Sequence, residues 1–356
     1  MPLNRKLLGV LVALVLCEVA ARVWVRIAWP PERIAQLTTH ASLRGRFASH
    51  PLLPYVLSPE FTEQNTFGFR GPRIEMAKAA GTRRIAFLGA STTYGIFVDA
   101  DEAYPALVGA MLDKTHGPWE VINAGVPGWL STESLIDFQL RVLPFDPDVV
   151  VILQGRNEIL PQAYDGFQRD YTHFRRPGFN YSVSNYMHKE VFRWSHLAML
   201  ACTLRGERFG WSETEEHPLY GGIVWENRPD PARAIRNLDD PARMDTLRCC
   251  LENMIELSRA RGMTVLVCTM AFRPDKLALD ELDQDPRLDE RLGVQVERNN
   301  ELAREVAGRL GATVVETAQL SAREELFVDD CHMRPEGHRR EAQMIYDALA
   351  PLLERP

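Results

Sequence analysis

Residues 84–93 read Arg-Ile-Ala-Phe-Leu-Gly-Ala-Ser-Thr-Thr, and this stretch decides the fold. A short apolar run stops at small residues and passes directly into Ser-Thr-Thr. Such a run is typical of a buried parallel strand. Open α/β sheets place their chemistry at the carboxyl ends of such strands, so the pattern indicates a reactive hydroxyl at Ser91. Gly-x-Ser is common by chance, and the interpretation therefore depends on partner residues elsewhere in the chain.

Short runs rich in Val or Ile alternate with helix-like runs along the rest of the chain. The predicted strands are 85–88, 120–123, 149–153, 264–269 and 313–316, and the predicted helices are 103–114, 131–142, 243–261, 289–310 and 335–353. Alternating strands and helices predict a parallel sheet with right-handed crossovers. We therefore expect an α/β fold with a flavodoxin-like sheet of five parallel strands.

Composition excludes several classes of function. The 356 residues are 46% hydrophobic with a formal net charge of -7, whereas a nucleic-acid-binding protein is typically basic. The six cysteines include no Cys-x-x-Cys pair, so a zinc or thioredoxin-like site has little support. We expect no nucleic-acid partner and no metal.

The N-terminus is apolar from Leu7 to Cys17 and less purely so up to Trp29. One interpretation is an uncleaved membrane anchor of about 20 residues, which is long enough to cross a bilayer. A cleaved signal peptide and a soluble amphipathic helix are the alternatives. Glu18, Arg22 and Arg26 form one helical stripe, and charges of this kind are tolerated near the end of a spanning helix. The anchor and the signal peptide both predict that the rest of the chain lies outside the cytoplasm, either held at the membrane or secreted.

The chain divides, on this pattern, into an anchor at 1–31, a connector at 32–82 that packs on the main domain, and a main domain at 83–356. Within the connector, residues 65–71 form either a surface turn or part of the rim of the site. Residues 159–242 form a long insertion after the third strand. The insertion is crowded with aromatic residues, namely Tyr164, Phe167, Tyr171, Phe174, Phe179, Tyr181, Tyr186, Phe192, Trp194, Trp211, Tyr220 and Trp225. It is expected to act as a lid or substrate platform, or else only to pack.

Four pieces of sequence follow strands, or precede the last helix, in the order that a serine esterase needs. Ser91 is the candidate nucleophile, His332 its general base, and Asp329 the carboxylate that orients the imidazole. The backbone N–H groups of Ser91 and Gly128 and the side-chain amide of Asn157 are candidate donors to the oxyanion. Because parallel strands bring their carboxyl ends to one edge, these residues are expected to meet.

Residues beside this set are expected to serve structure. Asp330 is interpreted as an exposed or capping carboxylate, and Cys331 as a structural residue whose side chain points away from that of His332. Arg156 is placed on the rim of the site, where it packs or binds an anion. His338 is interpreted as structural.

These residues resemble the four blocks of the SGNH/GDSL hydrolase superfamily, matched here by Gly89-Ala-Ser91, Gly128, Gly155-x-Asn157 and Asp329-x-x-His332. The resemblance covers roughly 83–158 and 243–353. It implies a three-layer α/β/α sandwich and the hydrolysis of an ester. Two positions depart from the pattern, since Ala90 and Glu158 stand where the family carries Asp.

The sequence therefore predicts an exported, membrane-anchored serine esterase that works through an acyl-enzyme without a metal or organic cofactor. Its expected substrate is a carboxylic ester, with O-acetyl groups of a cell-surface or secreted polysaccharide as one class. Two alternatives stay open: an O-acyltransferase with the same residues, and a non-catalytic anchored subunit or binding module on the same fold. The sequence names no protein partner.

Overall fold

The computed structural model describes residues 5–29, 47–48, 50–175, 195–204, 224–276 and 286–354. The chain forms two compact units. The first comprises Met1–Tyr55 and Asn180–Gly221, and the second comprises Val56–Phe179 and Gly222–Pro356.

The second unit contains a sheet of five parallel strands in the order β4-β3-β5-β6-β7. These strands are β3 (Arg83–Gly89), β4 (Trp119–Gly125), β5 (Val149–Leu153), β6 (Thr264–Cys268) and β7 (Thr313–Val315). Two short strands precede them in the chain, namely β1 (Phe47–Ala48) in the first unit and β2 (Val56–Leu57) in the second. All five predicted strands are therefore present. The predicted α/β fold with a five-stranded parallel sheet is confirmed.

Helices of the second unit cover both faces of the sheet. The described helices of the first unit are α1 (Arg5–Ala28) and α6 (His196–Leu204). Those of the second unit are α2 (Ser91–Tyr94), α3 (Tyr104–His116), α4 (Ser131–Asp137), α5 (Ile159–Ala163), α7 (Pro231–Asp239), α8 (Asp245–Ala260), α9 (Pro286–Leu310) and α10 (Pro335–Leu353). On one face α3 and α10 pack together, and on the other α4 and α9 both pack on α8. This is the expected three-layer α/β/α arrangement.

Strand periodicity explains the two layers. Successive strand residues point to opposite faces, so Ala86 and Leu88 belong to the cluster that contains Met254 of α8, whereas the ring of Phe87 meets that of Tyr104 of α3 at 5.6 Å. Both faces of the central strands are thus buried. This burial accounts for their continuous apolar character.

The first unit contains α1 and α6, which pack together. Glu18 in the middle of α1 accepts hydrogen bonds from the backbone N–H groups of His196 (2.8 Å) and Leu197 (3.0 Å) and from Ser195 Oγ (2.7 Å). Its carboxylate therefore caps the N-terminus of α6, where unpaired N–H groups favour a negative charge. Among the described residues, only Leu8–Ala28 is long and apolar enough, at 21 residues, to cross a membrane.

Candidate active site

The ends of the central strands lie level at one edge of the sheet. Gly89 of β3 is in register with Gly125 of β4 and with Leu153 of β5, and Leu153 is in register with Cys268 of β6. The loops that follow these strands therefore leave the sheet side by side. Ser91 lies two residues beyond the end of β3.

Ser91 begins α2, a single helical turn that ends at Gly95 in the left-handed conformation (φ 82°). This turn packs closely on the end of β4. A Cβ on Gly125 would lie 2.4 Å from the backbone nitrogen of Tyr94, so only glycine fits there. The N–H of Ser91 is one of the first in the turn and has no partner within it.

Ser91, His332 and Asp329 form one hydrogen-bonded chain. The Ser91 Oγ lies 2.7 Å from His332 Nε2, and His332 Nδ1 lies 2.7 Å from Asp329 Oδ2. The hydroxyl donates to Nε2 while the Nδ1–H donates to the carboxylate. Asp329 Oδ1 also accepts from the backbone N–H groups of His332 (2.8 Å) and Cys331 (3.0 Å). Both ends of this chain are therefore held in place.

The hydrogen bonds also set the charge of Asp329. Burial raises the pKa of this carboxyl, but the bonds from the His332 ring and from two backbone N–H groups outweigh burial and lower the pKa to about 2. Asp329 is therefore a carboxylate at any pH near neutrality. It can stabilise an imidazolium at His332.

The candidate oxyanion donors lie on the loops after β4 and β5. Gly128 has φ 82°, a conformation that requires glycine, and Arg175 Nη2 donates to its carbonyl oxygen at 2.9 Å. Asn157 Nδ2 donates to the carbonyl oxygen of Trp129 at 2.8 Å. That bond orients the amide, and the second N–H on the same nitrogen can serve a ligand.

A cavity opens beside Ser91, whose own exposed fraction is 5%. Phe97 lies at its mouth, 54% exposed, and meets the His332 ring edge-on at 5.3 Å. A second cavity reaches from Ser91 to Asn157 and Arg156. Ser91 lines both cavities.

Asp330 differs from its interpretation as an exposed or capping residue. It is 3% exposed, and its Oδ2 accepts from Arg156 Nε (3.0 Å) and Nη2 (2.7 Å). Arg156 is itself buried, beside Asn157 rather than on an open rim. A buried Asp requires such a partner because an isolated charge is strongly disfavoured in the interior.

Cys331 also differs from expectation, because its Sγ lies 3.7 Å from His332 Nδ1 instead of pointing away. Burial raises the pKa of this thiol well above its ordinary value. Ligand atoms of Asp329, Cys331 and His332 lie within 4.8 Å of one another, as a metal site would need. A thiol held neutral is a poor metal ligand and a poor nucleophile, so the set fits a hydrogen-bonded His–Asp pair better.

Glu158 follows Asn157 and is fully buried. Its Oε1 accepts from the N–H of Ser131 at 2.5 Å, at the first residue of α4. The longer side chain that replaces the family's Asp therefore ties the loop after β5 to the start of α4.

Residues 65–71 contain a turn, as the sequence suggests, which the bond from the Gly68 N–H to the Asn65 carbonyl oxygen closes at 2.9 Å, but Arg70 lies in the interior. It is 3% exposed; its Nη1 donates to the carbonyl oxygens of Tyr94 (2.5 Å) and Gly95 (2.6 Å), and its Nη2 to that of Val98 (2.7 Å). It thus holds the segment after Ser91. The glycines on either side of this arginine are the only local sign of a buried role.

Three of the described aromatic residues of the insertion pack in the interior. Tyr164, Tyr171 and Phe174 are each at most 1% exposed. The aromatic residues from Phe179 to Trp194 and from Trp211 to Tyr220 lie outside the described residues.

Comparison with known proteins gives one family match and several similar solved structures. Residues 87–340 match the model of the GDSL-like lipase/acylhydrolase family. Similar solved structures include an acetyl xylan esterase, AlAXEase (16% identity, TM-score 0.44, covering 75% of this chain and 99% of that one). A lipase/acylhydrolase from Enterococcus faecalis is also similar (18% identity, TM-score 0.44, covering 76% of this chain and 96% of that one). So is a putative lipolytic protein of the G-D-S-L family from Desulfitobacterium hafniense DCB-2 (12% identity, TM-score 0.43, covering 75% of this chain and 99% of that one). A search of curated proteins found no match.

The family model covers well over half of the chain. The parallel sheet carries a serine, a histidine and a carboxylate in hydrogen-bonded sequence at one edge. The chain belongs to the GDSL-like lipase/acylhydrolase family and is a carboxylic-ester hydrolase.

Proposed function

We propose that Ser91 is the nucleophile of this hydrolase, His332 its general base and Asp329 the orienting carboxylate. Ser91 Oγ attacks the ester carbonyl carbon while its proton passes to His332 Nε2. The bond to the alcohol oxygen then breaks, and His332 returns the proton to the leaving alcohol. Water attacks the acyl-enzyme with the same proton transfer in reverse order, which releases the carboxylic acid and free Ser91.

The oxyanion of each tetrahedral intermediate is stabilised by the N–H groups of Ser91 and Gly128 and by the Asn157 amide. The bond from Asn157 to Trp129 fixes the amide before substrate arrives, so little reorganisation accompanies the reaction. Arg175 Nη2 donates to the Gly128 carbonyl oxygen and so supports the peptide group that follows the Gly128 N–H.

The hydrogen-bonded chain from Ser91 to Asp329 carries this proposal. Full-length protein in detergent is assayed on p-nitrophenyl acetate beside Ser91→Ala and the exposed hydroxyl control Thr115→Ala. We expect Ser91→Ala to lose at least about 10³-fold in kcat and Thr115→Ala to retain the wild-type rate. Equal rates for wild type and Ser91→Ala would overturn the assignment.

We also propose that residues 1–31 are a retained membrane anchor, followed by a connector at 32–82 and a hydrolase domain at 83–356. Apolar side chains of α1 such as Leu14, Leu16 and Val19 are more than half exposed, as they are in a helix surrounded by lipid. The one acidic residue of α1, Glu18, is paired with Arg22 at 2.8 Å as well as with the start of α6. Pairing removes most of the cost of placing that charge near a bilayer.

The anchor is tested on the mature protein in a membrane fraction. We expect the protein to resist alkaline carbonate and to retain an N-terminus ahead of Leu8. A Val15→Arg, Leu16→Arg double variant is expected to become extractable. A mature chain that starts at Arg22 would show a cleaved signal instead.

We further propose that the hydrolase domain lies outside the cytoplasm and removes O-acetyl groups from a cell-surface polysaccharide. The support is the apolar N-terminus together with the exposed ring of Phe97 at the mouth of the site, which offers a flat face to a sugar. In a Cys17→Ser, Cys202→Ser background, a membrane-impermeant maleimide applied to intact cells should label the exposed Cys249, and the added change Cys249→Ser should abolish labelling. The substrate is tested by measuring the release of acetate from O-acetylated polysaccharides. Phe97→Ala is expected to raise KM on these polysaccharides but not on p-nitrophenyl acetate.

A further inference from the structure

The cavity beside Ser91 has two polar residues at its inner wall. His338 and Glu341 lie on α10, three residues apart and therefore on one helical face. Besides Ser91 and His332, the rest of the lining consists of the apolar residues Ile96, Phe97, Leu153, Met270, Ala271 and Met333 together with Thr92 and Cys331. The cavity is thus a mostly apolar recess that Ser91 lines together with His338 and Glu341.

Both polar groups are buried and both have unused hydrogen-bonding capacity. His338 is 3% exposed and Glu341 4% exposed. His338 Nδ1 accepts from the N–H of Tyr104 at 3.3 Å, so in the neutral ring the proton sits on Nε2. Within the part of the chain that the structure describes, neither His338 Nε2 nor the Glu341 carboxyl makes a hydrogen bond.

Neither group carries a charge near neutral pH. Burial raises the pKa of Glu341 to about 8. Burial, with smaller effects from Arg70 and His332, lowers the pKa of His338 to about 4. The titratable groups that face Glu341 from neighbouring elements, Tyr104 on α3 and Cys268 on β6, have pKa values raised well above their ordinary range. The wall therefore offers a neutral N–H donor beside a neutral carboxylic acid.

We propose that this wall is a subsite for an aliphatic hydroxyl group of the ester substrate, which His338 Nε2–H and the Glu341 carboxyl bind together. A hydroxyl both donates and accepts, so it pairs with an N–H donor and a carboxylic acid at once. A methyl in its place leaves both buried groups unpaired, and a site built for a hydroxyl rejects such an analogue. The inference rests on the assignment of Ser91 as nucleophile, because Ser91 lines the same cavity as His338 and Glu341.

The hydroxyl belongs either to the acyl group or to the alcohol, and paired substrates distinguish the two. On the acyl side the pair is p-nitrophenyl 3-hydroxybutyrate and p-nitrophenyl 3-methylbutyrate. On the alcohol side the pair is 2-hydroxyethyl acetate and propyl acetate. In each pair a hydroxyl replaces a methyl of similar size, and the measured quantity is the ratio of kcat/KM within the pair.

Three variants of the full-length protein give the comparison. Glu341→Leu removes the polar group, Glu341→Gln keeps a donor and an acceptor, and Glu336→Leu makes the same change at an exposed position of α10. We expect wild type to favour the hydroxyl ester about 10- to 100-fold in one pair. Glu341→Leu should reduce that ratio at least about 10-fold, while Glu341→Gln and Glu336→Leu largely preserve it.

A ratio near one in both pairs for an active wild type would overturn the subsite, as would a ratio that survives Glu341→Leu. These outcomes differ from a failure of the proposed function, in which Ser91→Ala hydrolyses all four esters as fast as wild type. Glu341→Gln keeps the test decisive should Glu341→Leu fail to fold. Loss of the ratio in Glu341→Gln, which keeps a donor and an acceptor, would likewise overturn the subsite.

Discussion

Arg156 and Asp330 form a buried ion pair, with Nη2 2.7 Å from Oδ2, between positions 174 residues apart in the chain. Arg156 immediately precedes Asn157, and Asp330 immediately follows Asp329. The pair therefore joins the loop of Asn157, the proposed oxyanion donor, to the loop of His332, the proposed general base. Its position indicates that it sets the distance between these two parts of the site.

Breaking this pair is expected to lower both stability and kcat. Asp330→Asn leaves the Arg156 guanidinium without its buried partner, which typically costs about 3–5 kcal/mol. Chemical denaturation should show this loss, and kcat should fall at least about 10-fold while KM changes little. The double variant Arg156→Met, Asp330→Leu should recover stability but not kcat.

The control is Glu325→Gln, which breaks an exposed pair with Arg323 and should change neither stability nor kcat. Unchanged kcat in Asp330→Asn would contradict the positioning role.

Asp329→Asn should affect the rate far more than binding. An amide in place of the carboxylate favours the wrong tautomer of His332 and removes the charge that stabilises the imidazolium. A loss on the order of 10⁴-fold in kcat with KM nearly unchanged is expected. Steady-state kinetics on p-nitrophenyl acetate measures both constants. A variant within 10-fold of wild type would mean that His332 acts without this carboxylate.

Asn157→Ala should remove one oxyanion donor. Losing one such donor costs about 10²- to 10³-fold in kcat. The structural bond to Trp129 is lost as well, so a thermal unfolding measurement separates the two effects. If kcat falls only in proportion to a loss of folded protein, the oxyanion role is excluded.

Arg70→Met should release the segment after Ser91. The carbonyl oxygen of Val98 loses its donor, whereas those of Tyr94 and Gly95 keep weaker bonds from Asn123 Nδ2 (3.5 Å) and from the Val98 N–H (3.3 Å). We expect a drop in stability of about 1–3 kcal/mol, because one unpaired buried carbonyl typically costs this much. Arg70→Lys has a single nitrogen and should recover only part of it. Wild-type stability in Arg70→Met would show that water replaces the guanidinium.

The sheet and the candidate site could be predicted because both follow from local pattern. A run such as 149–153 is apolar throughout, and only a strand covered on both faces has that pattern at that length. Once the strands are parallel, the loops after β3, β4 and β5 must meet at one edge. The juxtaposition of Ser91 and Asn157 therefore required no knowledge of distances.

The buried charges could not be predicted because their partners are far away in sequence. Asp330 beside Asp329 has the pattern of a second surface carboxylate, and only the position of Arg156 in the fold makes its burial tolerable. Arg70 likewise gains its acceptors from a turn that lies 24 or more residues ahead. Local patterns report which side chains are polar but not which of them find a buried partner.

The raised pKa of Glu341 predicts that the stability of the folded protein falls as pH rises. Its pKa is about 8 in the folded protein and near the ordinary 4.5 in the unfolded chain, so between these values the folded state binds the extra proton. Stability must then fall as pH rises from about 4.5 to about 8, by at most about 1.4 kcal/mol per pH unit from this group. Glu341→Gln lacks this titration, so its advantage over wild type should grow across that window and stay constant above it.

The measurement is urea denaturation of both proteins at intervals between pH 4.5 and 9. His338 has a pKa near 4 in the folded protein and near 6.5 in the unfolded chain, so it also affects stability within the window, but equally in both proteins. Asp329, with a pKa near 2 in the folded protein, titrates below the window. Neither contributes to the difference between the two proteins. Parallel stability profiles would mean that Glu341 is ionised in the folded state.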